Sequence, residues 1–342
     1  MSGDTATADT SHTAAPAAPD AGPWWSRTAV FVIAGGSIAA LLADLFGIAP
    51  MHVVFWAASV PSMTILAALT IPTRQTWLPS AYADLRRRIR VGAVGGALGT
   101  IGYDVFRIPF ALAGQRLFAP IESYGILIAD ASASSGWTST LGWLYHLSNG
   151  VTFGVAYAVI AARRHWIWGV AWGLLLESVA VFSPFAVRYG IAGQLAPILT
   201  AYAAHVAYGY PLGRVVRDID TADNGLLRFG RHTVAVLLIA ASLAIVAWHR
   251  PWQQTAAEHD AAQLATPGEP AAVVRRDRFE PEWLRVGTGS CVLIDNRSGT
   301  AYPTPFGRVE PDTSSRLCFD RSGVYRVRLG SRPYSGGFVY VE

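Results

Sequence analysis

The stretch 86–113 reads RRRIRVGAVGGALGTIGYDVFRIPFALA. Its four arginines, Arg86, Arg87, Arg88 and Arg90, end abruptly at Val91, and no further charge occurs until Asp104 and Arg107. A helix needs about 20 mostly apolar residues to cross a bilayer, so 91–113 reads as a membrane span entered from a basic side. Working outward, six further stretches have the same character: 29–49 and 51–71, separated by Pro50, then 141–162, 166–187, 191–213 and 232–248. The composition agrees. Of 342 residues, 52% are hydrophobic and 15% charged, with a mean hydropathy of +0.31, whereas soluble domains run at about 25% charged. The expectation is a polytopic α-helical membrane bundle of seven transmembrane helices over residues 28–250. An ordinary cytosolic enzyme is excluded.

All 27 basic residues are arginine, which removes a lysine Schiff base and the lysine of a phosphate-binding loop from consideration. Arg27, Arg74, the 86–90 run, Arg163, Arg164, Arg214, Arg217, Arg228 and Arg231 fall on one side of the predicted spans, and Arg116, Arg188 and Arg250 on the other. By the positive-inside rule the N-terminus is cytoplasmic and the C-terminal region lies outside, in a multi-pass protein of the plasma (inner) membrane. The pI near 9.2 is assigned to this topology and not to nucleic acid; the expected partners are the lipid bilayer and an extracytoplasmic protein for the outer region. Residues 1–27 lack a basic region followed by an apolar core, so they read as a disordered cytoplasmic tail and not a signal peptide. Residues 251–274 read as a linker.

From Arg275 to Glu342 apolar and polar residues alternate, with turn signals at 287–289, 296–299, 320–323 and 335–337. The runs 291–294, 316–319, 324–328 and 338–341 have the period of strands, so a small β-sandwich is expected. The order Phe279-Glu280-Pro281, Val292-Leu293-Ile294-Asp295-Asn296, Gly323-Val324-Tyr325 and Gly337-Phe338-Val339-Tyr340-Val341 resembles a cupredoxin domain of plastocyanin type. The resemblance implies copper ligands at positions where this chain carries Tyr302, Leu329 and Arg332, and a late methionine that it lacks. A blue copper site needs a cysteine thiolate and two imidazoles, and no histidine follows Arg275; the expectation is a copper-free cupredoxin-like domain for docking or sensing. In such a fold the strands of Cys291 and Cys318 are neighbours. A disulfide between them is expected in an oxidising compartment, with a redox-active or metal-binding pair as the alternative.

Ionisable groups within spans are costly and point to function. Here they are Asp44, Asp104, Arg107, His146, Glu177 and His205, with Asn149 beside His146. His146, Gly150 and Gly154 form one helix stripe, His205, Gly209 and Gly213 repeat it, and Gly169, Gly173 and Glu177 form a third. Gly92, Gly95, Gly96 and Gly99 give the third span small faces. Small residues at this spacing allow close helix contact, which turns the polar groups inward. Asp44, Asp104 and Arg107 are expected to meet His146, with Glu177 and His205 as a second, deeper pair. The leading function is the handling or transport of protons, a metal ion or a small solute along this intramembrane path. Haem or metal ligation by His146 and His205, an intramembrane enzyme, and a purely structural or signalling role are the alternatives; no cofactor is required and no enzyme motif accompanies these residues.

Overall fold

The computed structural model describes residues 24–70, 82–112, 118–220, 269–275, 278–304, 307–328 and 336–342. The predicted span 232–248, most of the predicted tail and linker, and positions Leu329 and Arg332 lie outside the described residues. The helical part runs α1 (Trp24–Gly35), α2 (Ala39–Leu45), α3 (Met51–Val54), a π-helical turn (Phe55–Ser59), α4 (Val60–Thr70), α5 (Ala83–Leu112), α6 (Ala119–Ala129), α7 (Gly136–Ala161), α8 (Ile167–Val181), α9 (Pro184–Arg188) and α10 (Leu195–Arg217).

The predicted count of seven spans is corrected. Among the described residues one helical stretch, Met51–Leu69, is long and apolar enough by itself to cross a membrane, and α1 with α2, bent by 57° at their break, makes a second if counted as one. The others fall short for identifiable reasons. Helix α5 begins in the arginine run and carries Asp104 and Arg107; α7 spends much of its length on Gly, Ser, Thr, Trp and Tyr. Helix α8 stops after 15 residues, because Ser183 and Pro184 cap and start α9. Helix α10 contains His205, Pro211 and three tyrosines. A run that looks continuously apolar by eye is thus shortened by breaks and diluted by small and amphipathic side chains.

Glycine sets the packing. A Cβ on Gly92 would sit 2.7 Å from the Gly154 carbonyl oxygen, and one on Gly96 2.5 Å from that of Gly150, so α5 and α7 touch backbone to backbone. A second face of α5 meets α10: Cβ atoms on Gly99 and Gly102 would lie 2.7 Å from the carbonyls of Tyr208 and Ala207. Helix α8 meets α10 in the manner of α5 and α7, with Gly169 against Gly209 and Gly213, and Gly173 against His205. The order across the bundle is therefore α7, α5, α10, α8. At one end of these helices Asp84 gathers Arg88 (2.7 Å), Arg163 (2.9 Å) and Arg27 (3.5 Å), and Arg163 also holds Asp220 at 2.6 Å.

The C-terminal part forms β1 (Ala271–Arg275), β2 (Arg278–Val286), β3 (Cys291–Asn296), β4 (Tyr302–Thr304), β5 (Gly307–Val309), β6 (Thr313–Cys318), β7 (Gly323–Arg328) and β8 (Gly336–Val341). The first strand starts four residues before the predicted boundary at Arg275. Six strands make one sheet in the order β6-β3-β1-β2-β8-β7, and β4 and β5 pair separately. Strand β2 pairs with β1 through residues 278–280 and with β8 at 278 and through 283–286, with a register shift in the β8 pairing between 278 and 283, and the sheet curls around Val274, Phe279, Val292, Ile294, Leu317 and Val339. Cys291 and Cys318 are register partners on β3 and β6 and form the expected disulfide. The buried Asn296 holds the turn after β3: its Nδ2 donates to the Thr300 and Glu310 carbonyls at 2.8 and 3.1 Å, and its Oδ1 accepts from the Ser298 backbone and hydroxyl.

The sheet and the helices share a core. Trp283, Phe338 and Tyr340 pack with Ile121, Tyr124, Leu127, Trp143 and Tyr145. The edge of β2 beyond β1 is taken by the segment 132–134: Ser134 N donates to Trp283 O at 2.9 Å and Arg285 N to Ser132 O at 2.7 Å.

Two expectations follow from this packing. Gly154→Val places a branched side chain against Gly92 and Gly96, and overpacking of this kind costs about 1–3 kcal/mol; its thermal unfolding midpoint in detergent falls well below that of the native chain. Gly35→Ala, with nothing within 4 Å of the added Cβ, leaves the midpoint unchanged or slightly raised, because a helical glycine costs up to about 1 kcal/mol relative to alanine. At Asp84 burial pushes the carboxyl up, but hydrogen bonds and charges from Arg88 and Arg163 outweigh it and hold it below the ordinary carboxylate range. A carboxyl depressed on folding contributes stability above its unfolded pKa, about 3.9, and loses it as the pH falls through the folded value. Asp84→Asn therefore lowers the midpoint at pH 7, and the gap to the native chain narrows as the pH falls below about 4.

Candidate functional site

Counting up α5 from its glycine contacts, positions 92, 96, 100 and 104 lie on one face, and on the antiparallel α7 the matching face carries 154, 150 and 146. The glycines bring the helices together, and one turn beyond them the side chains meet: His146 Nε2 lies 3.0 Å from Asp104 Oδ1 and 3.2 Å from Oδ2. Arg107, one turn further along α5, places Nη1 3.7 Å from Asp104 Oδ1. Its guanidinium stacks between the rings of Tyr103, at 4.7 Å, and Phe118, at 4.4 Å. Arg107 is buried, while Asp104 and His146 keep narrow exposure of 18% and 16%.

The second pair repeats the pattern. On α8 the face of Gly169 and Gly173 ends in Glu177, and on α10 the face of Gly213 and Gly209 ends in His205. Nδ1 of His205 is 3.0 Å from Glu177 Oε2 and also 3.0 Å from the Ala201 carbonyl. Glu177 is 5% exposed. Each acid-bearing helix thus packs by two glycines against the helix that carries its histidine, and each imidazole is engaged by its own carboxylate.

Tyr103 links the pairs. Its ring centroid is 5.9 Å from the imidazole of His146 and 4.8 Å from that of His205, and its hydroxyl lies within the fields of Arg107, Asp104 and Glu177. Nothing in the sequence separates this tyrosine from the chain's others; only the α5–α10 contact brings it between two histidines.

Asp44 does not join His146 as predicted. Arg188 Nη1 holds its carboxylate at 2.5 Å, and Nη2 donates to its carbonyl at 3.2 Å. The reason is the short helix α9, which turns Arg188 back over the end of α2 and under the Tyr340 ring, 5.8 Å away. Asn149 sits one turn from His146 along α7 but its side chain engages Tyr145, and its Oδ1 is buried with no hydrogen-bond partner. Of the seven predicted site residues, the structure joins Asp104, Arg107 and His146 in one cluster and Glu177 and His205 in another; Asp44 and Asn149 stand apart from both.

Where the sheet meets the helices there is a further buried group that the sequence did not single out. Glu122, on the buried helix α6, accepts a hydrogen bond from the Trp283 indole nitrogen at 3.0 Å. Outside it, Arg285 bridges Asp130 and Glu342, each at 2.6 Å, and holds the Asp130 carboxyl below the ordinary range by its hydrogen bond and charge. The signal for α6 was present in Ile121, Tyr124 and the run 126–128, but at 11 residues the helix is too short for the span length that guided the reading.

Among the described residues no three His, Cys, Asp or Glu side chains converge as a metal site. The β region does not fit the copper centre of the cupredoxins: its two cysteines are joined as a disulfide, leaving no thiolate, and it contains no histidine.

No family model and no curated protein matches this sequence. Solved structures match its C-terminal β region only. The reduced state of an amicyanin mutant is 20% identical, over 24% of this chain and 90% of that one, with a TM-score of 0.21. A second amicyanin mutant, also reduced, is 21% identical over the same shares, again with a TM-score of 0.21. A purple cupredoxin from Nitrosopumilus maritimus is 15% identical, over 22% of this chain and all of that one, with a TM-score of 0.20.

Proposed function

We propose that this chain is an integral membrane protein that passes protons along its helical part, with Asp104–His146 and Glu177–His205 as two stations and the β region as an outer cap. The observation that carries the reading is the pair of enclosed His–carboxylate contacts bridged by Tyr103. An imidazole takes up a proton on one nitrogen and releases it from the other near neutral pH, and chains of Asp, Glu and His are the usual means of moving protons through a bundle.

The two stations differ in formal charge. With a neutral imidazole, Asp104, Arg107 and His146 sum to zero, while Glu177 and His205 sum to −1. A proton arriving at the second station neutralises it; at the first it leaves a positive cluster beside Arg107.

Support for the membrane setting comes from the surface. Among the described residues every exposed large hydrophobic side chain, from Trp24 through Phe31, Trp56, Val105, Leu144, Trp168, Phe182 and Leu199 to Tyr210, belongs to the helical part, and none to the sheet. An apolar exterior of that extent needs a partner, and lipid is the natural one. The arginine-rich ends around Asp84 gather on one side of the bundle, opposite the ends that contact the sheet; on the positive-inside rule the former face the cytoplasm and the β region lies outside.

The test is proton flux in liposomes that hold the purified chain, a pH-sensitive dye and an imposed gradient. The native chain dissipates the gradient; His146→Ala and Glu177→Gln slow it at least tenfold while eluting and unfolding like the native protein. Native flux in both variants would show that the pairs only hold the bundle together, as interhelical hydrogen bonds worth about 0.6 kcal/mol each commonly do.

A further inference from the structure

Around the first station a closed ring of contacts holds hydrogen-bond donors that have no acceptor. The Arg107 guanidinium lies over the Phe118 ring at 4.4 Å. Phe118 meets Trp143 with ring centroids 5.5 Å apart, Trp143 meets His146 at 5.7 Å, and His146 meets Tyr103 at 5.9 Å. Tyr103 closes the ring against the guanidinium at 4.7 Å. Arg107 is 6% exposed, and among the described residues none of its N–H groups makes a hydrogen bond; its ion pair with Asp104 Oδ1, at 3.7 Å, is too long for one. Trp143 is 9% exposed, and its Nε1 is buried without a hydrogen-bond partner. His146 turns Nε2 to Asp104 and leaves Nδ1 without a hydrogen bond among the described residues. The one carboxylate in the ring is thus engaged by the histidine, while a buried cation and a buried indole N–H lack a partner. Buried polar groups in that state call for an occupant.

We propose that this ring binds a small monovalent anion of chloride size, held by Arg107 and the Trp143 N–H, when His146 carries a proton. The inference deepens the proton reading and rests on it at one point, the loading of His146. Three features select that chemistry. The unpaired groups are donors and one is a permanent cation, so the missing partner is an acceptor with negative charge. With a neutral imidazole Asp104 and Arg107 cancel; a proton on His146 brings the sum to +1 and turns Nδ1 into a further donor, so one negative charge restores neutrality and two would overshoot it. The aromatic rings already stand at contact distance from one another, which admits an ion of atomic size and not a bulky organic anion. Neighbouring helices do not supply the missing charge. Glu177 on α8 is engaged by His205, Glu122 on α6 by the Trp283 indole, and the hydroxyls in the field of Arg107, Tyr103 and Tyr124, belong to phenols that stay neutral. By linkage the anion and the proton tighten each other's binding by the same factor.

The experiment is thermal unfolding of the full chain in detergent, in sodium chloride or sodium gluconate at one ionic strength, at pH 6 and pH 8, either side of the ordinary imidazole value of about 6.5. At pH 6 chloride raises the unfolding midpoint of the native chain saturably by a few degrees over gluconate, as a ligand held only by the folded state must; at pH 8 most of that gain is lost. Arg107→Gln removes the response. Trp143→Phe, which keeps an aromatic ring and loses the N–H, moves half-saturation to a severalfold higher chloride concentration, and it carries the test if Arg107→Gln does not fold. His146→Ala loses the response at both pH values, whereas Glu177→Gln, outside the ring, keeps it. Equal midpoints in chloride and gluconate for the native chain at pH 6, as expected if a water fills the ring, would overturn the proposal. So would an undiminished response in Arg107→Gln or Trp143→Phe, or a native response of the same size at both pH values. A pH-dependent chloride response in a chain that passes no protons supports the site and counts against the transport reading alone.

Discussion

Where α5 crosses α7, the carbonyl oxygens of Gly150 and Gly154 lie against the Cα atoms of Gly96 and Gly92, and the α8–α10 crossing repeats the contact at Gly169 and Gly209. Helices with ordinary side chains between them stand about 8–10 Å apart; stripping the side chains from both surfaces lets the axes close further. The short side chains at the ends of those stripes then have to meet. Asp104 reaches His146 and Glu177 reaches His205 because glycine has already brought the backbones together. The same contact leaves Tyr103 between the two imidazoles, since α5 presents a second small face to α10. Polar chemistry inside this bundle is therefore a consequence of its smallest residues.

The β region depends on a different device. It adds its β2 edge to a three-residue segment between α6 and α7, sinks Trp283 and Phe338 into the helical core with their rings stacked 4.5 Å apart, and satisfies the Trp283 indole with a buried glutamate. A buried carboxyl group is costly unless it is hydrogen-bonded, and the Trp283 indole supplies Glu122 with one such bond.

Much of the site was legible because it follows one period. Glycine and histidine at four-residue steps mark helix faces whatever the solvent, and the pairs Asp104–His146 and Glu177–His205 follow from those faces. The alternation of the C-terminal strands was legible for a like reason, since a period of two is local, whereas the disulfide was legible through the cupredoxin resemblance, which makes the strands of Cys291 and Cys318 neighbours. The span count failed because hydropathy averages over breaks. Ser183-Pro184 divides what reads as one run, and the bend at Gly36-Ser37 divides another. Tyr103, Glu122 and Arg188 were missed because each acquires its role from a partner more than 100 positions away.

The β2 edge taken up by residues 132–134 also bears on how the molecule is made. Helices α6 and α7 precede in the chain the strands that cover them, so Ile121, Tyr124 and Leu127 stay uncovered until β2 and β8 have joined the sheet. Phe338 and Tyr340, both on β8, complete that core. Assembly is therefore a closing operation: strands late in the sequence seal a surface that the helices before them have held open.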